Sequence, residues 1–184
     1  VAAADAIGFT LQSELTYVNV LKVLDLARIP FFSEERDNAV PLVFAGGPGA
    51  YNPEPLAPFM DFFVVGDGED VIIEIAQCLI QHKQDARRQK LEALAAIEGV
   101  YIPCLYPTET QQDGSIRPCL DKKIHSRISP SLNAAPFPES IITPYMQMVH
   151  DGVGIEVLRG CTHGCRFCLA GMITRPVRER SIPG

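Results

Sequence analysis

The sequence predicts an α/β protein built around a parallel sheet. Short apolar runs alternate with amphipathic stretches, several of the apolar runs end in glycine, and the links between segments are short. A continuous apolar run is typical of a strand covered on both faces, as the strands of parallel sheets are. Apolar residues make up 47% of the 184 residues, which is enough material for a buried core.

The first three elements follow from local patterns. Residues 5–11, DAIGFTL, are predicted to form a short buried strand. Apolar residues at helical spacing over 16–29 predict a helix, with Thr16 placed to cap its start and Pro30 ending it. Residues 40–47, VPLVFAGG, predict a second buried strand that is closed by glycines.

The remaining segments continue the alternation as far as about residue 100. Residues 60–69, MDFFVVGDGE, contain a third strand, and 69–84 predict a helix with acidic residues in its first turn, where the helix dipole favours them. Residues 86–99 predict an amphipathic helix, and 100–107 a strand or extended segment. From Pro107 to Pro144 proline, serine and charged residues predominate, which predicts a surface linker with QQDGSI as a turn.

The composition and the two ends of the sequence narrow the class of protein further. The net charge of −6 gives no support to nucleic-acid binding by bulk electrostatics, although RPVRERS is a local basic run. No stretch is apolar for long enough to predict a membrane span, and the first residues do not resemble a signal peptide. Six cysteines with three crowded together do not resemble a secreted disulfide framework, so a reducing cytoplasm is expected. The chain begins without methionine inside the strand–helix pattern, and Ser181 could cap a helix that has no room to form. We therefore expect a piece of a longer protein.

Three of the six cysteines lie in GCTHGCRFC, directly after the predicted strand at 154–160. Cys161, Cys165 and Cys168 can bind three irons of a 4Fe–4S cluster and leave the fourth open to a ligand with an amine and a carboxylate. Phe167 could shield the cluster or face an adenine ring. The alternatives are a zinc site completed by His163 and buried cysteines without a ligand.

The cysteine spacing resembles that of radical S-adenosylmethionine enzymes, including the aromatic residue before the third cysteine. The resemblance implies a full or partial (β/α) barrel, with 154–160 as its first strand. It also implies that a 4Fe–4S cluster reductively cleaves S-adenosylmethionine to a 5′-deoxyadenosyl radical, with an electron donor such as flavodoxin or ferredoxin as partner. Within RPVRERS, Arg178 or Arg180 could hold the carboxylate of S-adenosylmethionine or an acidic partner, or form a solvated basic stretch.

Glycines end both the second and the third predicted strand. Gly46 and Gly47 follow one strand, and Gly66 and Gly68 follow the next. The carboxyl edge of a parallel sheet is its usual ligand edge, and glycines there allow a flat ligand to approach the backbone. Turn chemistry alone would also explain them.

This half of the chain resembles the second half of the flavodoxin-like, cobalamin-binding domains that precede many radical S-adenosylmethionine barrels. The similar runs are GGP, NPEPLA and GDGE. The resemblance implies a partial cobalamin-binding-like domain at 1–100, a linker at 101–150 and the start of a barrel at 151–184, with cobalamin as a further candidate cofactor. The Asp-x-His-x-x-Gly motif that ligates cobalt is absent and would lie before Val1. The substrate stays open, and a nucleic acid or a natural-product precursor would both suit the resemblance.

Overall fold

The computed structural model describes residues 3–135, 140, 145–146, 149, 152 and 154–181. The chain divides into two compact units, Val1–Ile128 and Ser129–Gly184. Pro144, the predicted end of the linker, and Gly184, the predicted end of the barrel fragment, lie outside the described residues.

The first unit is an α/β layer structure around a four-stranded sheet of order β1-β2-β3-β4. Its strands are β1 Ala6–Thr10, β2 Leu42–Gly46, β3 Phe62–Val64 and β4 Val100–Tyr101. Strand β2 pairs in parallel with both β1 and β3, so that Phe44 lies opposite Gly8 on one side and Phe62 on the other. The predicted α/β class and the first three strands are therefore confirmed.

The central strands β2 and β3 are mostly buried, as their continuous apolar runs predict. The prediction that residues 5–11 form a buried strand is wrong in its burial, because β1 lies at the edge of the sheet and its residues are half-buried or exposed. Helix α1, Tyr17–Ala27, covers one face, where Val20 and Leu24 belong to the same buried cluster as Val43 and Phe63. Helices α2, Val71–Gln81, and α3, Arg87–Leu94, cover the other face. The buried residues of that second cluster come from the sheet and from both helices: Leu42, Phe62, Val64, Val71, Ile75, Leu91, Leu94, Val100 and Ile102.

The expectation of an entirely parallel sheet is wrong at its last strand. Strand β4 pairs antiparallel with β3, with Val100 opposite Val64. Two helices, not one, separate β3 from β4, and the second returns the chain to the carboxyl end of β3. There the Val65 amide donates a hydrogen bond of 2.7 Å to the carbonyl of Gly99. The next strand can then only run back along its neighbour.

The prediction that the Thr16 side chain caps α1 is also wrong. Thr16 does occupy the position before the helix, but its hydroxyl donates to the carbonyl of Ser13 at 2.7 Å and makes no capping hydrogen bond. Thr16 already has helical backbone angles because a 3₁₀ turn, Glu14–Thr16, leads directly into α1. A capping side chain needs an extended backbone at that position.

A buried ionic cluster lies next to β3. Asp61, just before the strand, accepts hydrogen bonds from Arg36 at 3.1 Å and Arg87 at 2.7 Å. The same carboxylate oxygen accepts a bond of 2.7 Å from the Val43 amide, and the Asp61 amide donates to the Val43 carbonyl. Arg36 also donates to the carbonyls of Pro30, Phe31 and Phe59, so its burial is matched by acceptors.

Residues 107–128 belong to the first unit. Strands β5, Thr108–Thr110, and β6, Ile116–Pro118, form an exposed antiparallel hairpin, and the predicted turn in QQDGSI joins them. Near residue 127 the chain returns to the sheet: the Arg127 amide donates to Val65 and the Asp67 amide donates to Arg127. No helix in the part of the chain that is described has the length and apolar character needed to cross a bilayer.

Among its described residues, the second unit contains three short elements, β7 Leu158–Arg159, α4 Ala170–Ile173 and β8 Arg178–Glu179. Strands β7 and β8 pair antiparallel, with Arg159 opposite Arg178. Of the strand predicted at 154–160, only these two residues of β7 are paired in the described structure. The barrel to which this strand was assigned therefore stays a prediction.

Candidate functional site

The β7–β8 pair encloses the loop that carries the three clustered cysteines. Gly160, the last residue before Cys161, has a backbone φ of +100°. A Cβ at this position would lie 2.9 Å from the carbonyl oxygens of both Thr174 and Pro176, closer than side chains tolerate. Only glycine therefore lets the chain enter the cysteine loop this tightly against the segment that leaves it.

All three cysteines of the loop are free thiols. The His163 amide lies 3.4 Å from Cys161 Sγ, and the Gly171 amide lies 3.4 Å from Cys168 Sγ, so each sulfur accepts a backbone N–H. Cys165 is exposed, whereas the other two are half-buried. These two backbone contacts hold two of the three sulfurs in place on the loop.

The three thiols are chemically suited to an iron–sulfur cluster, but their side chains are not gathered around a common point. Soft thiolates are the protein ligands of iron–sulfur clusters. Within the described residues, no three His, Cys, Asp or Glu side chains are gathered closely enough to hold a metal ion. Cys161 Sγ and His163 Nδ1 are 3.8 Å apart, a contact that a zinc site could also use.

The other predicted site residues of this loop differ in their surroundings. Phe167 is 91% exposed, so its ring is available to a ligand. Arg178 donates to the carbonyls of Ser129 at 2.8 Å, Pro176 at 3.1 Å and Thr174 at 3.3 Å, which directs its guanidinium toward the main chain of its own unit. Arg175, for which the sequence predicted no role, borders the same shallow cavity as Cys161.

The glycines at the carboxyl ends of β2 and β3 meet as predicted. Gly46, Gly47, Gly66 and Gly68 line one cavity of about 460 Å³ together with Phe44 and the first turn of α2. Phe44 fits there because Gly8 opposite has no side chain: a Cβ at Gly8 would lie 2.6 Å from the end of the Phe44 ring. The sheet edge thus offers a concave surface of backbone and aromatic ring.

Two of these glycines are also required by internal packing. Gly66 has a φ of +111°, and a Cβ there would overlap the carbonyl oxygen of Arg127. Gly47 has a φ of +87°, and a Cβ there would lie 2.9 Å from the carbonyl oxygen of Leu11. Gly68 has open space around it. Contact with a ligand is therefore not needed to explain Gly47 and Gly66.

Sequence reasoning missed a second cavity in the first unit. Three tyrosines, Tyr51, Tyr101 and Tyr106, line a space of about 600 Å³ with Glu54 and Lys122. These residues come from separate segments, so no linear motif marks them. The sequence offers one weak indication of this cavity, which is that three of the five tyrosines of the chain line it.

The fold and the loop define a protein with an α/β domain followed by a loop rich in thiols. Residues 1–103, more than half of the chain, match the family model for the N-terminal region of radical SAM proteins, where SAM is S-adenosylmethionine. The chain therefore belongs to this radical SAM family. The family implies a 4Fe–4S cluster and S-adenosylmethionine in general.

A curated relative extends the similarity through the cysteine loop. It is an uncharacterized protein of Methanocaldococcus jannaschii that is 28% identical over 181 residues. The match covers 97% of this chain and 33% of the relative, so the chain spans about a third of the relative's length. No solved structure matches the chain.

Proposed function

We propose that this chain carries the cluster loop of a radical S-adenosylmethionine enzyme and is a fragment of the complete, catalytically competent protein. The observation that carries the proposal is the set of three free thiols, Cys161, Cys165 and Cys168, on one loop after β7, two of them with backbone N–H donors. These thiolates would hold three irons of a 4Fe–4S cluster, leaving the fourth for S-adenosylmethionine. When bound, the two cofactors supply one-electron cleavage of the sulfonium to a 5′-deoxyadenosyl radical.

The residues of the chain position the ligands and limit access to them. Gly160 sets the tight entry of the loop, and the amides of His163 and Gly171 orient two sulfurs. Phe167, exposed at the third cysteine, would cover the cluster or the adenine ring. Arg178 binds backbone carbonyls of its own unit, so its contribution to holding the S-adenosylmethionine carboxylate would need those bonds to rearrange.

We further propose that the first unit is a cobalamin-binding-like domain. The cavity at Gly46, Gly47, Gly66 and Gly68 supports this assignment, because it lies at the carboxyl edge of the parallel strands. Hydroxocobalamin titrated against the full-length protein should change its visible spectrum if a corrinoid binds. An unchanged spectrum at micromolar concentrations would favour a scaffold that has no corrinoid.

Anaerobic reconstitution of the full-length protein with iron and sulfide tests the cluster. We expect about four irons and four sulfides per chain and a broad visible absorbance. The variant in which Cys161, Cys165 and Cys168 are all alanine should lose both. The matched control replaces Cys104 and Cys119, two exposed free thiols outside the loop, and should keep them.

Three results would count against the proposal. The triple variant could bind as much iron as the parent protein, or reconstitution could give no cluster at all. Anaerobically purified protein could also contain zinc without iron or sulfide, which would favour a zinc-stabilised module that binds a protein or RNA. The reconstituted protein should convert S-adenosylmethionine to 5′-deoxyadenosine when a reductant, or a donor such as flavodoxin or ferredoxin, is supplied.

The proposal implies a reducing cellular setting. An oxygen-sensitive cluster held by free thiols suits a reducing cytoplasm. The net charge of −6 does not favour a nucleic acid as substrate, although it does not identify another class.

A further inference from the structure

The tyrosine-lined cavity of the first unit is independent of the cysteine loop. Its volume of about 600 Å³ lies in the usual range for small-molecule pockets. Its walls are the segment after β2, the end of β4 with the residues that follow, and the stretch from β5 to residue 126. Within it, apolar and aromatic surface surrounds a few polar groups, which is the composition typical of a ligand pocket.

Contacts with neighbouring residues hold the three aromatic rings of the pocket in place. Tyr101 is buried in β4 and stacks on Phe63 with ring centroids 6.1 Å apart, and Tyr106 meets it edge-on at 5.2 Å. Tyr51 shares a hydrogen bond of 2.7 Å with Ser126. The rings are therefore fixed before a ligand arrives, which lowers the entropy cost of binding.

The segment that carries Tyr51 is itself anchored to the core. The single proton of the buried Tyr17 hydroxyl is shared between the carbonyls of Gly49 at 2.7 Å and Asn52 at 2.8 Å. This shared hydrogen bond anchors the chain shortly before Glu54. The position of the Glu54 carboxylate is thus tied to the core and not only to its own loop.

Glu54 places a negative charge beside these rings. Its Oε1 accepts a hydrogen bond of 2.7 Å from the Tyr101 hydroxyl. Burial, and then the nearby Glu54 carboxylate, raise the pKa of Tyr101, so this phenol keeps its proton and remains a donor. Among the described residues, Glu54 Oε2 accepts no hydrogen bond and is available to a ligand.

The pocket already holds a cation of the protein. Lys122 Nζ lies over the Tyr106 ring, 5.5 Å from its centroid, in the range of a cation–π contact. Lys122 is exposed, so its side chain can leave the ring at little cost. Its position indicates that a positive group is favourable at this ring face.

We propose that this cavity binds an organic cation, in which an ammonium group is attached to an apolar body. The ammonium would lie against the tyrosine rings and Glu54 Oε2, displacing the Lys122 ammonium, and the apolar part would fill the rest of the space. The electron-rich faces of tyrosine rings and a carboxylate both attract such a group. An anion of the same size would be repelled by Glu54.

The ammonium could belong to a free amine or to a lysine side chain of a protein. Calorimetric titration of the full-length protein with choline and with a peptide containing trimethyllysine distinguishes the two sources. We expect one of them to bind with a dissociation constant below about 1 mM. The neutral isostere of choline, 3,3-dimethylbutanol, should bind about three- to tenfold more weakly than choline, since it lacks the charge.

Four variants locate the binding site, with circular dichroism as the check on folding. Glu54→Gln and Tyr106→Leu should each weaken binding of the cation about three- to tenfold. Lys122→Ala should strengthen it, because a competing cation is removed, whereas the neighbouring Lys123→Ala should leave it unchanged. Equal binding of choline and dimethylbutanol, no effect of Glu54→Gln, or no binding of either cation up to about 10 mM would each overturn the proposal.

Discussion

Replacing Asp61 with asparagine should strongly destabilise the first unit, because it removes a buried charge. The Asp61 side chain is 2% exposed and its partners Arg36 and Arg87 are 0% and 12% exposed. Its two oxygens accept four hydrogen bonds, from the Val43 amide, from Arg36 and twice from Arg87. Asparagine leaves a buried guanidinium without its counter-ion, which costs about 3–5 kcal/mol.

Urea unfolding, followed by far-ultraviolet circular dichroism, measures this loss as a change in the free energy of unfolding. The matched control is Asp25→Asn. Asp25 pairs with Lys22 at 3.3 Å, but the two side chains are 58% and 66% exposed, so the expected loss is below about 1 kcal/mol. If both variants lose the same stability, burial of the charge does not set its contribution, and the reasoning fails.

Two further pairs of substitutions, each a test with its control, examine the packing of the chain. Gly66→Ala should cost about 1–3 kcal/mol, since it forces a residue with φ of +111° against the backbone of Arg127, while Gly68→Ala, with open space, should change the unfolding free energy little. Phe62→Ala should cost about 3–5 kcal/mol because the ring is fully buried, and Phe167→Ala, at a residue 91% exposed, about 0.5 kcal/mol or less. Similar urea midpoints within either pair would contradict the packing described.

The first three strands and three helices could be predicted because each carries its own local signal. Continuous apolar runs mark β1 to β3, and amphipathic spacing marks α1 to α3. The direction of β4 has no local signal. It depends on where in space the second of the two helices between β3 and β4 ends, which is a tertiary property.

The candidate sites also divide into those with a local sequence signal and those that only the fold brings together. The cysteine loop was visible in the sequence because its donors lie within eight residues of one another, and the glycine edge because parallel strands end together. The packing of Gly66 against Arg127 was not visible, since the two residues are distant in sequence and meet only through an isolated backbone bridge. The tyrosine pocket is assembled from separate segments between residues 50 and 126, so only the fold reveals it.

The Asp61 carboxylate has a consequence for how β3 finds its partner during folding. Its oxygen takes the place of a main-chain carbonyl opposite the Val43 amide, so a side chain extends the ladder between β2 and β3 by one rung. If β3 slipped by one residue, every side chain would change face and two guanidinium groups would lose their shared anion. Charge, as well as apolar pattern, therefore selects the alignment of the two central strands.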